Sequence, residues 1–407
     1  ECQITWVSPC ASAGEVNADG TGASVGATSV GLATSITSSV FGDRCQISWS
    51  GQSMNMSLSG ATILPVDGLA ITLMLTESQR WTGIAMSGTP GGDGEAVVLS
   101  IQSAFVEDVG RQSSFLKFGM FVDEIADTTP PFATHAQINY STGVMLVNAS
   151  ERVDLTPTSN LRLESLVIVN ATASGEASDA TSVFLSSASV LGDDSDVLTL
   201  RLIESNRVKA IAMSSTPSLY GDGGSAILWL YAGAFQDIGT TRLAINQSLV
   251  LEEFPDIVPP SATSAVINYS TGVITIFATE TIDVTPVNNV DFLYIWVNNN
   301  TGDKHVPLVG ASLVSFDDGL GLTFEMNESQ RVAAISISGE SGGDSVSVSL
   351  TIESGAFHDV GLNKVVPAAA VSVAEIRDTI VPTVISATLN YGTGVLIIEA
   401  SETIDTT

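Results

Sequence analysis

Apolar and polar residues alternate with period two over much of the chain. Val346-Ser347-Val348-Ser349-Leu350-Thr351-Ile352 sets every aliphatic side chain on one side and every hydroxyl on the other. That is the pattern of a strand with one buried and one wet face. Residues 265–269 and 273–277 alternate in the same way on either side of Ser270-Thr271-Gly272. This reads as a β-hairpin whose turn needs the left-handed conformation that Gly272 tolerates. Further strand-like segments follow at intervals of roughly 8–14 residues, separated by Gly, Asp and Ser. No helical period of useful length appears.

The hairpin recurs. Ile138-Asn139-Tyr140-Ser141-Thr142-Gly143-Val144 returns as Ile267-Asn268-Tyr269-Ser270-Thr271-Gly272-Val273 and as Leu389-Asn390-Tyr391-Gly392-Thr393-Gly394-Val395. Three other landmarks keep step with it. Glu77-Ser78-Gln79-Arg80 is echoed by Glu204-Ser205-Asn206-Arg207 and Glu328-Ser329-Gln330-Arg331. Ala234-Phe235-Gln236-Asp237-Ile238-Gly239 matches Ala356-Phe357-His358-Asp359-Val360-Gly361. A copy at Ala104-Phe105 with Asp108 and Gly110 reads with one inserted residue at Val106-Glu107. Asp127, Asp256 and Asp378 each precede a proline boundary. Four landmarks in fixed order at a period of about 125 residues define a tandem repeat. Short alternating strands in such units predict an all-β protein of tandem immunoglobulin-like β-sandwich domains.

The expected layout is uneven. Residues 1–42 form a Ser/Thr/Gly/Ala-rich segment. Residues 43–129 are a first unit without its opening hairpin, in which Cys45-Gln46-Ile47-Ser48-Trp49 aligns in pattern with Asp291 to Trp296. Residues 130–258 and 259–381 are complete units, and residues 382–407 are an additional opening hairpin. An incomplete sandwich leaves an apolar groove and unpaired edges, which a strand or hairpin from a neighbour can fill. Repeated head to tail, that contact builds a filament. The duller alternatives are that residues 1–42 complete unit 1 within the chain, or that the sequence is a window on a longer repeat protein. The opening Glu1-Cys2, without Met, fits either removal of a targeting segment or an excerpt.

Charge narrows the function classes. The 407 residues carry 44 acidic and 14 basic side chains, a net charge of -30, which argues against a nucleic-acid partner. No uncharged apolar run is long enough for a membrane span. Cys2, Cys10 and Cys45 are the only cysteines. They allow one disulfide with a thiol left over, and they lack the spacing of a zinc site. Sequons at Asn55, Asn139, Asn148, Asn170, Asn246, Asn268, Asn299 and Asn327 exceed the number expected from the Ser/Thr content by about twofold. They point to N-linked glycans and an extracellular or cell-surface location.

The Tyr-x-Thr-Gly-Val turn, continued by Ala278-Thr279-Glu280-Thr281-Ile282-Asp283 and by Ser401-Glu402-Thr403-Ile404-Asp405, resembles the opening hairpin of bacterial-type immunoglobulin-like repeats. The Gly-Ala-Phe-x-Asp-x-Gly motif at 355–361 resembles their closing part. The resemblance covers residues 43–407 and implies a surface appendage or adhesin in which repeats act as spacers or binding modules.

Acidic residues hold fixed unit positions. Asp93, Asp222 and Asp344 fall in Gly-rich loops, and Asp108, Asp237 and Asp359 in the turn after the Ala-Phe pair. Glu151 with Asp154, Glu280 with Asp283 and Glu402 with Asp405 follow the hairpin. The boundary acids Asp127, Asp256 and Asp378 are candidate Ca²⁺ ligands, set against the simpler reading that Asp in turns bonds its own backbone. Arg80, Arg207 and Arg331 follow Glu77, Glu204 and Glu328 by three residues and are expected to form structural ion pairs. Enzyme chemistry finds no footing. His135, His305 and His358 sit at non-equivalent positions, and Gly91-Gly92-Asp93-Gly94 lacks the lysine of a phosphate loop. The expectation is therefore a non-enzymatic, glycosylated subunit of an extracellular filament. It needs no cofactor and has itself as head-to-tail partner. The alternative is an adhesin repeat region with a cell-surface or matrix ligand.

Overall fold

The computed structural model describes residues 45–49, 55–64, 68–170, 182–216, 224–301 and 303–406. The segment 1–42, with Cys2 and Cys10, and Asp222 lie outside the described residues, as do the side chains of Cys45 and Trp49.

Strands dominate. Unit 1 contributes β1 (Cys45–Trp49), β2 (Asn55–Ser57), β3 (Thr62–Leu64), β4 (Thr72–Met74), helix α1 (Glu77–Ala85), β5 (Val97–Ile101) and β6 (Lys117–Phe121). Unit 2 contributes β7 (Ala133–Asn139), β8 (Val144–Val153), β9 (Leu166–Asn170), β10 (Ser182–Phe184), β11 (Ser189–Leu191), β12 (Ser195–Arg201), helix α2 (Glu204–Ala212), β13 (Ala226–Leu230), β14 (Gln247–Val250) and β15 (Glu252–Phe254). Unit 3 contributes β16 (Ala262–Asn268), β17 (Val273–Ile282), β18 (Ile295–Asn299), β19 (His305–Pro307), β20 (Ser312–Leu313), β21 (Gly319–Glu325), helix α3 (Glu328–Ser336), β22 (Val348–Ile352) and β23 (Ala368–Ile376). A last hairpin joins β24 (Val384–Asn390) to β25 (Val395–Ala400).

Units 2 and 3 share one topology. Unit 3 runs β19-β18-β22-β23-β16-β17-β21-β20. Strand β23 pairs antiparallel with β22 (Ser349↔Ser372) and then parallel with β16 (Ala265↔Val373). In unit 2 the same path is split into β10-β9-β13-β14 and β11-β12-β8-β7-β15, with β15 parallel to β7. Both halves of each path wrap one core, in which Tyr140 and Tyr269 are wholly buried. Val360 of unit 3 is part of the core of unit 2, so apolar packing crosses the boundary.

Unit 1 differs. It has β2-β1-β5-β6 and a separate two-stranded β3-β4 pair. Among the described residues nothing corresponds to β7 and β8, which in unit 2 lie between β12 and β15. Its core cluster is small: Met56, Leu58, Ala61, Met86, Val97 and Phe105. The hairpin β24-β25 stands alone as a two-stranded sheet. Nearly all of its residues are exposed, including Tyr391 at 91%.

Four expectations are corrected. Each unit contains a nine-residue helix at the Glu-Ser-x-Arg landmark, where only strands and turns are expected. Thr76 and Asn327 form capping boxes with Gln79 and Gln330, and Glu77, Glu204 and Glu328 lie in the positive first turn. At 3.6 residues per turn a nine-residue helix is too short for its period to stand out. Strand Cys45–Trp49 corresponds to Ile295–Asn299 rather than to residues 291–296. Cys45 faces Ile101 as Ile295 faces Ile352, and residues 292–294 form a 3-10 turn. The third copy of the Phe-x-Asp-x-Gly motif, at Asp108, has no insertion. Ala104 takes the left-handed place of Gly233 (φ 58° and 79°), so Phe105 and Val106 stand where Ala234 and Phe235 do. Lastly, Ser349 is only 7% exposed, so the strand at 348–352 is covered on both faces.

A repeated carboxylate–arginine junction as the candidate functional site

The four repeat landmarks, far apart in sequence, meet at the boundary between units. Each helix presents its arginine at the end of the first turn. Arg207 Nε and Nη2 donate to the two oxygens of Glu204, both at 2.8 Å, a fork that the i,i+3 spacing allows. Its Nη1 donates to the boundary carboxylate of Asp256 and to the carbonyl of Tyr140 at 2.8 Å. Nη2 also reaches Glu280 of the next unit at 3.2 Å. Arg331 repeats this set with Glu328, Asp378 (2.7 Å), the Tyr269 carbonyl (2.9 Å) and Glu402 (3.2 Å). Arg80 repeats it with Glu77, Asp127 and Glu151, the last two at 2.5 Å, but bonds no tyrosine carbonyl among the described residues. The glutamates also accept from the following hairpin. The donors are the backbone N–H groups of Arg152, Thr281 and Thr403, at 3.2, 3.0 and 3.0 Å from Glu77, Glu204 and Glu328.

The Phe-x-Asp-x-Gly turn closes the junction from the following unit. Asp237 Oδ1 accepts from the N–H of Thr241 at 2.8 Å, and Asp359 Oδ1 from that of Asn363 at 2.8 Å. This is the backbone bonding expected of Asp in a turn. The glycine after it allows close approach: a Cβ on Gly239 or Gly361 would lie 2.8 Å from the Cβ of Asp127 or Asp256. At Gly110 a Cβ would meet only its own Asp108. One oxygen of each of Asp127, Glu151 and Asp237 falls within 4.8 Å of the others, and Asp256, Glu280 and Asp359 form a second such group. Asp378 and Glu402 have no third carboxylate beside them among the described residues.

These acids are unequal. Hydrogen bonding from Arg331 holds Glu328 down at about 2. Burial pushes Asp237 up to about 7, helped by the neighbouring charges of Glu151 and Asp127. Burial beside Asp256 likewise raises Glu280 to about 7, and burial raises Asp359 to about 6.

Other predicted sites scatter. Asn139, Asn246 and Asn327 are exposed, while Asn55, Asn148, Asn170 and Asn268 are half-buried. Asn299 is 4% exposed, with its amide donating to Asp344 at 3.4 Å. Asp93 and Asp344 cap their own turns by accepting from Glu95 and Val346 N–H. Gly91, in the loop that resembles a phosphate cradle, packs against the Ile238 carbonyl of unit 2, where a Cβ would fall 1.8 Å away. His135 pairs with Glu252 on the surface. No helix among the described residues is long and apolar enough to cross a membrane.

The i,i+3 pair was readable from spacing. The cross-boundary partners were not, because they lie 47 to 49 and 71 to 73 residues from each arginine. Their one sequence signal was that all four acids recur at fixed unit positions. Among known proteins, no family model matches the chain and no curated protein is similar to it.

Proposed function

We propose that the chain is a structural subunit of an extracellular, N-glycosylated filament. Immunoglobulin-like units are held in series by arginine–carboxylate junctions, and subunits are joined head to tail by strand complementation. One complementarity carries this reading. Glu253 and Glu375 each accept a hydrogen bond from a buried tyrosine hydroxyl, Tyr140 at 2.7 Å and Tyr269 at 2.9 Å. Glu124 is their counterpart in unit 1, accepting from the N–H of Gly88 as Glu375 does from that of Gly339. Yet no tyrosine is bonded to it among the described residues. Among the described residues Arg80 lacks the tyrosine carbonyl that Arg207 and Arg331 both bond. Tyr391 is the matching residue of hairpin β24-β25, and it is exposed. Seated beside β4 of a second copy, the hairpin would bring its hydroxyl to Glu124 and its carbonyl to Arg80. It would also cover the exposed Met74 and Phe121.

The test is electron microscopy and sedimentation of the full chain, wild type against Tyr391→Ala and against a form without residues 384–400. Fibres in the wild type, lost in both variants and blocked by an added 382–407 peptide, are expected. A wild type that stays monomeric at high concentration, or fibres indifferent to the hairpin, would overturn the proposal. Intact mass of native material should exceed the polypeptide's 42.2 kDa.

A further inference from the structure

The junction between units 1 and 2 holds more negative charge than its arginine can neutralise. Glu77, Asp127, Glu151 and Asp237 gather around Arg80, the one guanidinium that bonds carboxylates of this group among the described residues. Asp237 is 1% exposed, and its Oδ2 has no hydrogen-bond partner among the described residues although its Oδ1 does. A buried carboxylate oxygen without a donor is costly, and native structures seldom keep one unless something binds there.

The second junction shows what relieves the same charge. Its Asn363 stands where unit 2 has Thr241, and the amide donates to Asp359 Oδ2 at 3.1 Å and to the Asp256 carbonyl at 3.2 Å. Thr241 has no amide. Among the described residues its hydroxyl reaches only the Asp127 carbonyl, at 3.3 Å. The threonine therefore leaves at junction 1 an unsatisfied acceptor that the asparagine covers at junction 2.

We propose that junction 1 binds a single hard divalent cation, Ca²⁺ in preference to Mg²⁺, through Asp127, Glu151 and Asp237, and that Asn363 replaces this cation at junction 2. Ca²⁺ accepts irregular sets of oxygen ligands, whereas Mg²⁺ demands near-ideal octahedral geometry and gives up its waters reluctantly. The three ligand atoms lie within 4.8 Å of one another, close enough for one ion to be shared among them. Water fills the remaining positions, as is usual for oxygen-ligated cations. The bound ion would tie three segments that meet only at this boundary: the linker, the opening hairpin of unit 2 and its closing turn.

The test is isothermal titration of CaCl₂ into the EDTA-stripped full chain, with circular dichroism to verify folding. The wild type should take up one Ca²⁺ saturably, with MgCl₂ a poor competitor. Asp237→Asn and, as a second variant, Glu151→Gln should lose that heat while remaining folded. Asn363→Thr should raise the stoichiometry from one to two, and Thr241→Asn should abolish it. No saturable uptake at millimolar Ca²⁺ by folded wild type would overturn the proposal. So would binding unchanged in both carboxylate variants, or an Asp237→Asn chain that merely becomes more stable while the wild type binds nothing. None of these readouts depends on assembly, so failure here and failure of the filament reading are separable.

Discussion

Junctions 1 and 2 are built from the same four landmarks, yet their arginines live in different surroundings. The side chain of Arg207 is 6% exposed and that of Arg80 33%. The difference traces to one hairpin. In unit 2 the turn Tyr140 to Gly143 folds over the arginine. The Tyr140 carbonyl accepts from Nη1, and Gly143, at φ +66°, lies 3.6 Å from the arginine's Cδ when given a Cβ. Unit 1 has no such turn among its described residues. Instead Arg152 stacks on Trp81 at 4.1 Å, an arrangement unique to this boundary among the described residues. A repeated ion cluster thus takes its burial from the unit that precedes it as much as from the acids within it.

Removing the arginine should separate the two junctions most. Arg207→Met strands Glu204, Asp256 and Glu280 in a dry site and should cost about 3–5 kcal/mol. Arg80→Met removes a guanidinium that is already 33% exposed and whose partner Glu77 is 42% exposed, and should cost about 1–2 kcal/mol. Denaturant titrations followed by Trp229 for unit 2, and by hydrogen exchange around Glu77 for unit 1, would measure both. Equal losses would show that the tyrosine turn does not set the burial.

The next contrast concerns the closing turns. Gly361→Ala places a methyl 2.8 Å from the Cβ of Asp256, backbone-anchored at both ends, so the boundary must shift. A loss of about 1–3 kcal/mol is expected in unit 3, read from Trp296 fluorescence. Gly110→Ala meets only the flexible side chain of Asp108 and should change stability by less than about 0.5 kcal/mol. If Gly110→Ala proved as damaging as Gly361→Ala, unit 1 would already have a neighbour packed on that turn.

How much of this could be read beforehand follows from the range of each interaction. Period-two alternation is local, so the strands and the hairpin turn at Gly272 were legible, as was the Glu-to-Arg pair at i,i+3. The helices were hidden by their brevity, although Thr76-x-x-Gln79 and Asn327-x-x-Gln330 are capping boxes written openly in the sequence. The role of Asp237 was half legible. Its turn bond to Thr241 is local, but the oxygen facing Asp127 and Glu151 depends on segments brought together from about 80 to 110 residues away. The shift of the Ala-Phe pair in unit 1 misled the alignment because Ala104 accepts a left-handed backbone that glycine fills elsewhere, at a strain of about 1–2 kcal/mol.

The smallest expected effect sharpens the comparison at the helix starts. Helices α1 and α3 begin at Thr76 and Asn327, each accepting from the N–H three residues on. Helix α2 begins at Ile203, which has no side-chain cap and is 45% exposed. Ile203→Asn would offer an acceptor to the N–H of Asn206 while giving up little burial. It should stabilise unit 2 by about 0.5–1 kcal/mol. The reciprocal bond of a full capping box will not form, because Asn206 is one carbon shorter than Gln79 and Gln330 and its amide already donates to Phe184 and Ser187. Asn327→Ala, made in a host that adds no glycans, should cost unit 3 about 1 kcal/mol. The two substitutions should therefore move their units' thermal midpoints in opposite directions, by a few degrees each. A gain at Ile203 as large as the loss at Asn327 would mean that the reciprocal glutamine bond adds nothing to the cap.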